Sequence, residues 1–305
     1  MSDEAVKKLK TKVLRSSKGA KVSKGDSLLV NYAGTLMNGE QFDANYNFKS
    51  FAPSIPTNTY FRSNGEPLLQ PQAPPFDFVI GAGAVIKGWD KALNGRRIGE
   101  VLELTIPAKL AYGEEGAGDR IPPNSPLRFT VELLATIPEG EQQPVFPDIK
   151  DIGLDAKKLG LDTQTLQAMN QVKIGLKSQD RLIGDNSADL LVGLGGNDRL
   201  MGAGGADVLI GGAGKNRYIY TDLDDSPAAK NERDKILEFG NKDKIKLRGL
   251  VENLQFIGSG KFTATAGDVR FSKGTLQVDA DGDKSADFAI QLPGTDSLQA
   301  SNLVL

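Results

Sequence analysis

Two hydrophobic patterns follow one another along the chain. In the first, LLVNYAGTL (28–36), FDFVI (76–80), VLELTIP (101–107) and LRFTVELLATI (127–137) carry β-branched and aromatic residues with partial apolar–polar alternation. That pattern predicts strands. VIKGWDKALNG (85–95) is the best helix candidate, closed by Gly95. The pattern breaks at 44–75, where Pro53, Pro56, Pro67, Pro71, Pro74 and Pro75 stand among aromatic residues. A long irregular loop of this kind inside a compact domain is either functional or disordered.

The second pattern has a period of nine. Residues 175–219 divide into GLKSQDRLI, GDNSADLLV, GLGGNDRLM, GAGGADVLI and GGAGKNRYI. Gly opens every unit (Gly175, Gly184, Gly193, Gly202, Gly211). Asp fills the sixth place in four (Asp180, Asp189, Asp198, Asp207), with Asn216 in the fifth. The eighth place is Leu182, Leu191, Leu200, Leu209 and Tyr218, and the ninth is aliphatic or Met throughout. A flexible Gly-rich linker has no reason to keep such an apolar register. Gly supplies the positive φ of a tight turn, and the apolar close of each unit reads as a short strand with its eighth side chain turned inward. Units 18 residues apart then stack at the strand spacing of about 4.8 Å, with Asp198 above Asp180 and Asp207 above Asp189. Residues 220–305 continue as polar turns between short strands, and GTLQVDADGDKSADFAIQL (274–292) reads as two strands joined by an acidic loop.

Between the patterns lies PEGEQQPVFPDIKD (138–151), which reads as an extended linker. The expected organisation is therefore a domain over 1–137 with an inserted loop at 44–75, a linker over 138–151, and a repeat domain with a C-terminal tail over 152–305. A length of 305 residues suits two domains. Residues 1–137 hold 17 Lys and Arg against 14 Asp and Glu, and residues 138–305 hold 20 against 25. The net charge of −2 gives no global argument for nucleic-acid binding. No run of 18 apolar residues suggests a membrane span. The N-terminal MSDEAVKKLKTK lacks the apolar stretch of a secretory signal peptide.

The chain has no Cys and no His. Thiol catalysis, Ser-His-Asp triads, thiolate or imidazole metal sites and disulfides are thereby excluded. Any metal must be held by oxygen, which points to a hard cation, and to Ca²⁺ ahead of Mg²⁺, because Ca²⁺ accepts 6–8 mixed carboxylate and carbonyl ligands while Mg²⁺ demands octahedral order. The best loops for it are GLGGND (193–198), with Gly193, Gly195 and Asp198, and GAGGAD (202–207), with Gly202, Gly204 and Asp207. GDNSAD with Asp189 is fair, and GLKSQD with Asp180 departs at Lys177 and Ser178. The acidic loop DADGDKSAD (279–287) offers Asp279, Asp281, Asp283 and Asp287. It has Lys284 where an EF-hand loop has Gly and no closing Glu, so an acidic hairpin turn is the favoured reading.

The ordered motifs VNYAGTL with GEQFDA (30–44), PFDFVIGAGAVIKGWDKAL (75–93) and LAYGEEGAGDRIPPNSPLRFTVELL (110–134) resemble the FKBP-type peptidyl-prolyl isomerases. The resemblance implies an α+β domain, an antiparallel sheet curling over a short helix with a shallow apolar pocket between. Carried over residue by residue, the pocket is Tyr32, Phe42, Asp43, Phe76, Val85, Ile86, Trp89, Tyr112, Ile121 and Phe129. Trp89 would form the floor beneath a substrate proline, and Tyr32, Phe42, Phe76 and Phe129 the walls. The Ile86 N–H and the Tyr112 hydroxyl would hold substrate carbonyls, and Asp43 would position. The partners implied are proline-containing polypeptides. Family members often carry His where this chain has Ala117, and pair the pocket Asp with an Arg from the segment replaced by 44–75; Arg62 is the candidate here. The insertion reads equally as a flap, as a pocket cover through Ile55-Pro56 or Gln70-Pro71, or as a solvated loop.

The nonapeptides resemble RTX, or haemolysin-type, calcium repeats, which implies an all-β parallel β-roll with flanking strands and structural Ca²⁺. After Lys284 the chain has no Lys or Arg and closes on ASNLVL, which resembles an uncleaved C-terminal export signal. The implied setting is bacterial and secreted or cell-surface, with type I secretion machinery as a partner. The expected function is prolyl isomerisation of extracellular or envelope polypeptides, with calcium serving folding and export. The rival is a calcium-dependent surface-binding or chaperone protein whose pocket is blocked by the insertion.

Overall fold

The computed structural model describes residues 6–45, 75–145, 147, 149–161 and 163–305. Most of the expected insertion, with Arg62, Ile55-Pro56 and Gln70-Pro71, lies outside the described residues. In sequence, the chain divides into two compact units between Ala156 and Lys157.

The first unit is built from β1 (Lys10–Arg15), β2 (Ser27–Leu36), β3 (Gln41–Ala44), β4 (Phe76–Val79), α1 (Lys87–Leu93), β5 (Val101–Ile106) and β6 (Leu127–Ile137). The strands form one antiparallel sheet in the order β1-β5-β6-β2-β3. β4 also pairs with β2, over Ser27–Val30, while β3 pairs with β2 over Ala33–Thr35. Two short strands thus share one edge of β2, and the 46–74 segment connects them. Alternation on β5 and β6 buries Leu102, Leu104, Ile106, Leu127, Phe129, Val131 and Leu133. These meet Trp89, Ala92 and Leu93 on the inner face of α1. All four strands expected from the sequence form within one residue of their expected ends, and the helix expected over 85–95 forms over Lys87–Leu93, two residues shorter at each end.

The 138–151 segment, expected as an extended linker, runs back along this unit. Thr136 and Val145 exchange both backbone hydrogen bonds, at 3.0 and 2.7 Å, and the Lys18 N–H donates to the Asp151 carbonyl at 2.7 Å. The edge of β6 beyond its pairing with β5 and the loop before β2 gain partners in this way.

The second unit begins with α2 (Thr163–Ala168), β7 (Gln171–Ile174), β8 (Arg181–Ile183), β9 (Asp189–Val192), β10 (Gly195–Gly196) and β11 (Arg199–Met201). It continues through β12 (Val208–Ile210), β13 (Ala213–Gly214), β14 (Arg217–Ile219), β15 (Lys235–Leu237) and β16 (Lys244–Lys246). It closes with β17 (Gln255–Phe256), β18 (Asp268–Ser272), β19 (Thr275–Asp279), β20 (Phe288–Gln291) and β21 (Leu303–Val304). Odd units feed one parallel sheet, β21-β16-β14-β11-β8; even units feed the parallel half of the other, β15-β12-β9-β7, which β17–β20 extend. The register is 18 residues, Arg199 opposite Arg181 and Val208 opposite Leu190. Every eighth-place residue, Leu182, Leu191, Leu200, Leu209 and Tyr218, is fully buried, and both sheets share that core. β19 and β20 form the antiparallel pair expected around the acidic loop.

Candidate functional site

Trp89 sits in the first turns of α1 and is buried beneath a ring of aromatic side chains. Tyr32 from β2 meets the indole edge-on at 5.3 Å and 82°, and Phe129 from β6 does so at 5.2 Å and 83°. Phe76 from β4 lies at 6.2 Å. Phe42 from β3 packs perpendicular to Phe129 at 5.5 Å. Gly34 makes this last contact possible, since a Cβ there would lie 2.6 Å from Phe42 Cζ and 2.7 Å from Phe129 Cε1.

Above these rings is a cavity of about 340 Å³, lined by Tyr32, Phe42, Asp43, Phe76, Val85, Ile86, Trp89, Tyr112 and Phe129. Nine of the ten residues expected from the sequence therefore converge, together with Ala84, which the sequence did not single out. The tenth, Ile121, is buried and lines an adjoining recess with Phe42, Asp43, Tyr112, Ala117 and Arg120. The loop that brings it there is pinned by paired hydrogen bonds between Ala117 and Ile121, at 2.9 and 3.1 Å.

The polar groups are few. The Tyr32 hydroxyl donates to Asp43 Oδ2 at 2.7 Å. Arg62 lies outside the described residues; the described cation closest in the lining is Arg120, whose Nη1 donates to the Phe42 carbonyl at 3.0 Å. Burial, then the hydrogen bond to Asp43 and its charge, push the Tyr32 phenol well above its ordinary range. Burial and Asp43 push Tyr112 the same way. Both hydroxyls therefore stay protonated; Tyr32 commits its proton to Asp43, and Tyr112 keeps its own to donate. The Ile86 N–H, at the start of α1, has no partner among the described residues.

In the second unit the sixth-place side chains form two buried columns. Each acid accepts from the backbone one turn earlier: Asp198 Oδ1 from Asp180 N–H and Asp207 Oδ1 from Asp189 N–H, both at 2.8 Å. The columns run past the repeats, because Asp234 Oδ1 accepts from Asp207 N–H at 2.9 Å and Asp243 Oδ1 accepts from Asn216 N–H at 2.8 Å. Asp234 and Asp243 were missed from the sequence. A signal exists: they lie nine apart in the DKI steps 234–236 and 243–245, with Ile236 and Ile245 buried like the eighth-place residues.

Asp198 Oδ2 and Asp207 Oδ2 are buried without a hydrogen-bond partner among the described residues. They face the opening glycines of their own units: a Cβ on Gly193 would lie 2.2 Å from Asp198 Oδ2 and 2.6 Å from the Gly211 carbonyl, and one on Gly202 would lie 1.9 Å from Asp207 Oδ2. Burial pushes Asp198 up to about 8, opposed by the Asp180 N–H and reinforced by the charges of Asp180 and Asp243. Burial and the neighbouring Asp234 raise Asp207. Orphaned carboxylate oxygens beside carbonyls make an all-oxygen donor set that suits a hard cation. Gly195 and Gly204 lie in the stacked loops, Gly195 pairing with Ala213 and Gly204 near Asn186. Asp279, Asp281 and Asp283 bring carboxylate oxygens within 4.8 Å of one another. The loop's own backbone uses Asp279, through Gly282 N–H at 2.7 Å and Lys284 N–H at 2.9 Å, as in an acidic hairpin turn.

The first unit is thus a curled antiparallel sheet over one short helix, carrying an aromatic cavity with a buried indole floor and no acid–base pair. The family model for the FKBP-type peptidyl-prolyl cis-trans isomerase matches residues 18–134, and the model described as Peptidase M10 serralysin C terminal matches residues 164–305. FK506-binding protein 2 of Dictyostelium discoideum is 42% identical over 114 residues, 37% of this chain and 68% of that protein. FK506-binding protein 1 of the same organism is 37% identical over 122 residues, 40% of this chain and 92% of that protein. FK506-binding protein 1A of Neurospora crassa is 38% identical over 127 residues, 41% of this chain and 86% of that protein. The chain belongs to the FKBP-type peptidyl-prolyl cis-trans isomerase family through its first unit, and it carries a serralysin-like C-terminal domain of the RTX repeat type.

Proposed function

We propose that the protein isomerises X–Pro bonds of extracellular or envelope polypeptides in the cavity above Trp89, and that its second unit is a calcium-binding β-roll that folds once the chain reaches a calcium-rich exterior. The observation that carries the first part is the convergence of nine pocket side chains on one cavity with a buried indole floor.

Amide rotation meets a barrier of about 18–20 kcal/mol because the C–N bond is partly double. For X–Pro the two isomers lie within about 1 kcal/mol, so lowering the barrier suffices. The substrate proline ring rests on the Trp89 face, walled by Tyr32, Phe42, Phe76 and Phe129. The Ile86 N–H and the Tyr112 hydroxyl hold flanking carbonyls and align the bond. At the twisted transition state the amide loses resonance and its carbonyl carries less charge. A dry aromatic wall then disfavours the planar ground state more than the twisted form, which is binding selective for the transition state. Asp43 fixes the Tyr32 ring through its hydroxyl; no proton moves.

In the roll, Asp180, Asp189, Asp198 and Asp207, with carbonyls of the glycine loops, would hold Ca²⁺, and Asp234 extends the second column. The cation supplies the charge that the orphaned Oδ2 atoms lack. Where calcium is scarce the acidic columns oppose folding, and where it is abundant binding becomes folding free energy. A Cys-free chain needs no oxidation after export, which fits passage through type I machinery by a C-terminal signal and a secreted or cell-surface setting. We take residues 1–137 as the isomerase, 138–151 as the connection and 152–305 as the roll and tail. The test of the catalytic reading is cis/trans exchange of a Leu-Pro or Phe-Pro peptide by the full chain, against Trp89→Leu. Saturable exchange lost in the variant supports it; a folded protein without exchange contradicts it and favours a binding module.

A further inference from the structure

The seventh place of the repeats alternates in a way that neither the core nor the acidic columns require. Odd units carry Arg181, Arg199 and Arg217, whereas even units carry the buried Leu190 and Val208. Parallel register stacks Arg181, Arg199, Arg217 and Lys244 on four successive strands, β8, β11, β14 and β16. The fifth place forms a second column beside it, Gln179, Asn197, Lys215 and, by the same register, Lys242. All eight residues are exposed. Arg199, Arg217 and Lys244 form no ion pair among the described residues.

Like charges opposite one another on neighbouring strands are unfavourable, so the fold gains nothing from this arrangement. Five of the cations, Arg199, Lys215, Arg217, Lys242 and Lys244, converge on a groove of about 220 Å³. Its one acid is Asp198, whose side chain is buried, and the groove lies in a half of the chain that holds 20 Lys and Arg against 25 Asp and Glu.

We propose that this groove binds an acidic polysaccharide lying along the column. The cations repeat in a straight row one residue wide at the strand spacing of about 4.8 Å, which suits a chain with one anionic group per sugar. Duplex DNA carries one charge per about 1.7 Å, and neither column has an aromatic ring on which single-stranded bases could stack. Arg forks grip planar carboxylates and sulfates in pairs, and the Gln179 and Asn197 amides beside them suit sugar hydroxyls.

The test is titration of the full chain, with calcium present, against oligogalacturonate and dextran sulfate. Neutral dextran, single-stranded DNA and anionic phospholipid vesicles serve as comparison arms. At least one acidic polysaccharide should bind, more weakly as salt rises. Affinity should fall by about tenfold or more in Arg199→Gln/Arg217→Gln and in Lys242→Gln/Lys244→Gln, equivalent to ~1.4 kcal/mol. Lys10→Gln/Lys12→Gln, the same charge change on the first unit, should bind as the unaltered chain does. Binding by neither polysaccharide, binding unchanged in both groove variants, or tighter binding of DNA or vesicles through these residues would each overturn the proposal.

Discussion

Tyr32 and Tyr112 show how a pocket can be polar enough to orient a peptide yet hold no acid or base. Tyr32 is committed to Asp43 at 2.7 Å, while Tyr112 is partly exposed and has no hydrogen bond to protein among the described residues. Tyr112→Phe should therefore leave stability nearly unchanged and lower kcat/KM by about three- to tenfold, the worth of one hydrogen bond of 0.5–1.5 kcal/mol. Activity unchanged in a peptide exchange assay would remove Tyr112 from the carbonyl contacts. Because both phenols are shifted upward and the chain has no His, the rate should stay flat from pH 5 to pH 9. A bell-shaped profile would mean a titrating catalyst that the mechanism does not contain. At the same scale, Arg15 Nη2 and Glu132 Oε1 lie 3.0 Å apart, both buried, with Asn31 Nδ2 donating to Glu132 Oε2 at 3.2 Å. Arg15→Met leaves a buried carboxyl short of its partner and should cost about 3–5 kcal/mol in denaturant unfolding of the first unit.

The elements differ in how openly the sequence displays them. β2, β5 and β6 alternate clearly and were legible. β1 was not, because its positions opposite the buried Leu104 and Leu102 are Thr11 and Val13, so a polar residue stands where alternation would show an apolar one, and β3 was too short at four residues. The cavity was legible because its residues come from motifs in a fixed order. The recess of Ile121 and Arg120 depends on how the 117–121 loop closes, which spacing does not reveal. The acidic columns were legible only as far as glycine marks each turn. The steps at Asp234 and Asp243 follow a 27-residue stride from Asp207 and Asn216 and open without Gly, so the period disappears while the stacking persists. For these columns the account predicts opposite signs for one substitution. Asp207→Asn keeps an acceptor for the Asp189 N–H and removes a buried carboxyl whose ionisation burial and Asp234 oppose. It should raise the thermal midpoint in chelator and lower it, relative to the unaltered chain, in calcium. A drop in both conditions would mean that Asp207 serves packing alone.

For the whole molecule, the two halves answer to different conditions. With chelator, Asp198 is protonated in the folded second unit up to about 8, against an ordinary carboxylate value of 3.8. A raised folded value adds stability that is fully present below about pH 4 and is lost as pH rises toward 8. The metal-free second unit should thus weaken steadily across that window, and calcium should abolish the loss while releasing protons on binding at neutral pH. Stability that rises over the same window in chelator would contradict the buried-carboxylate account. The first unit has its own core and no acidic column, so its chemistry should not follow calcium. The most direct measurement is kcat/KM for cis/trans exchange of a Leu-Pro peptide by the full chain, in calcium and in chelator. The account predicts saturable catalysis of comparable efficiency in both. Absence of catalysis in both, with the first unit folded, would contradict it.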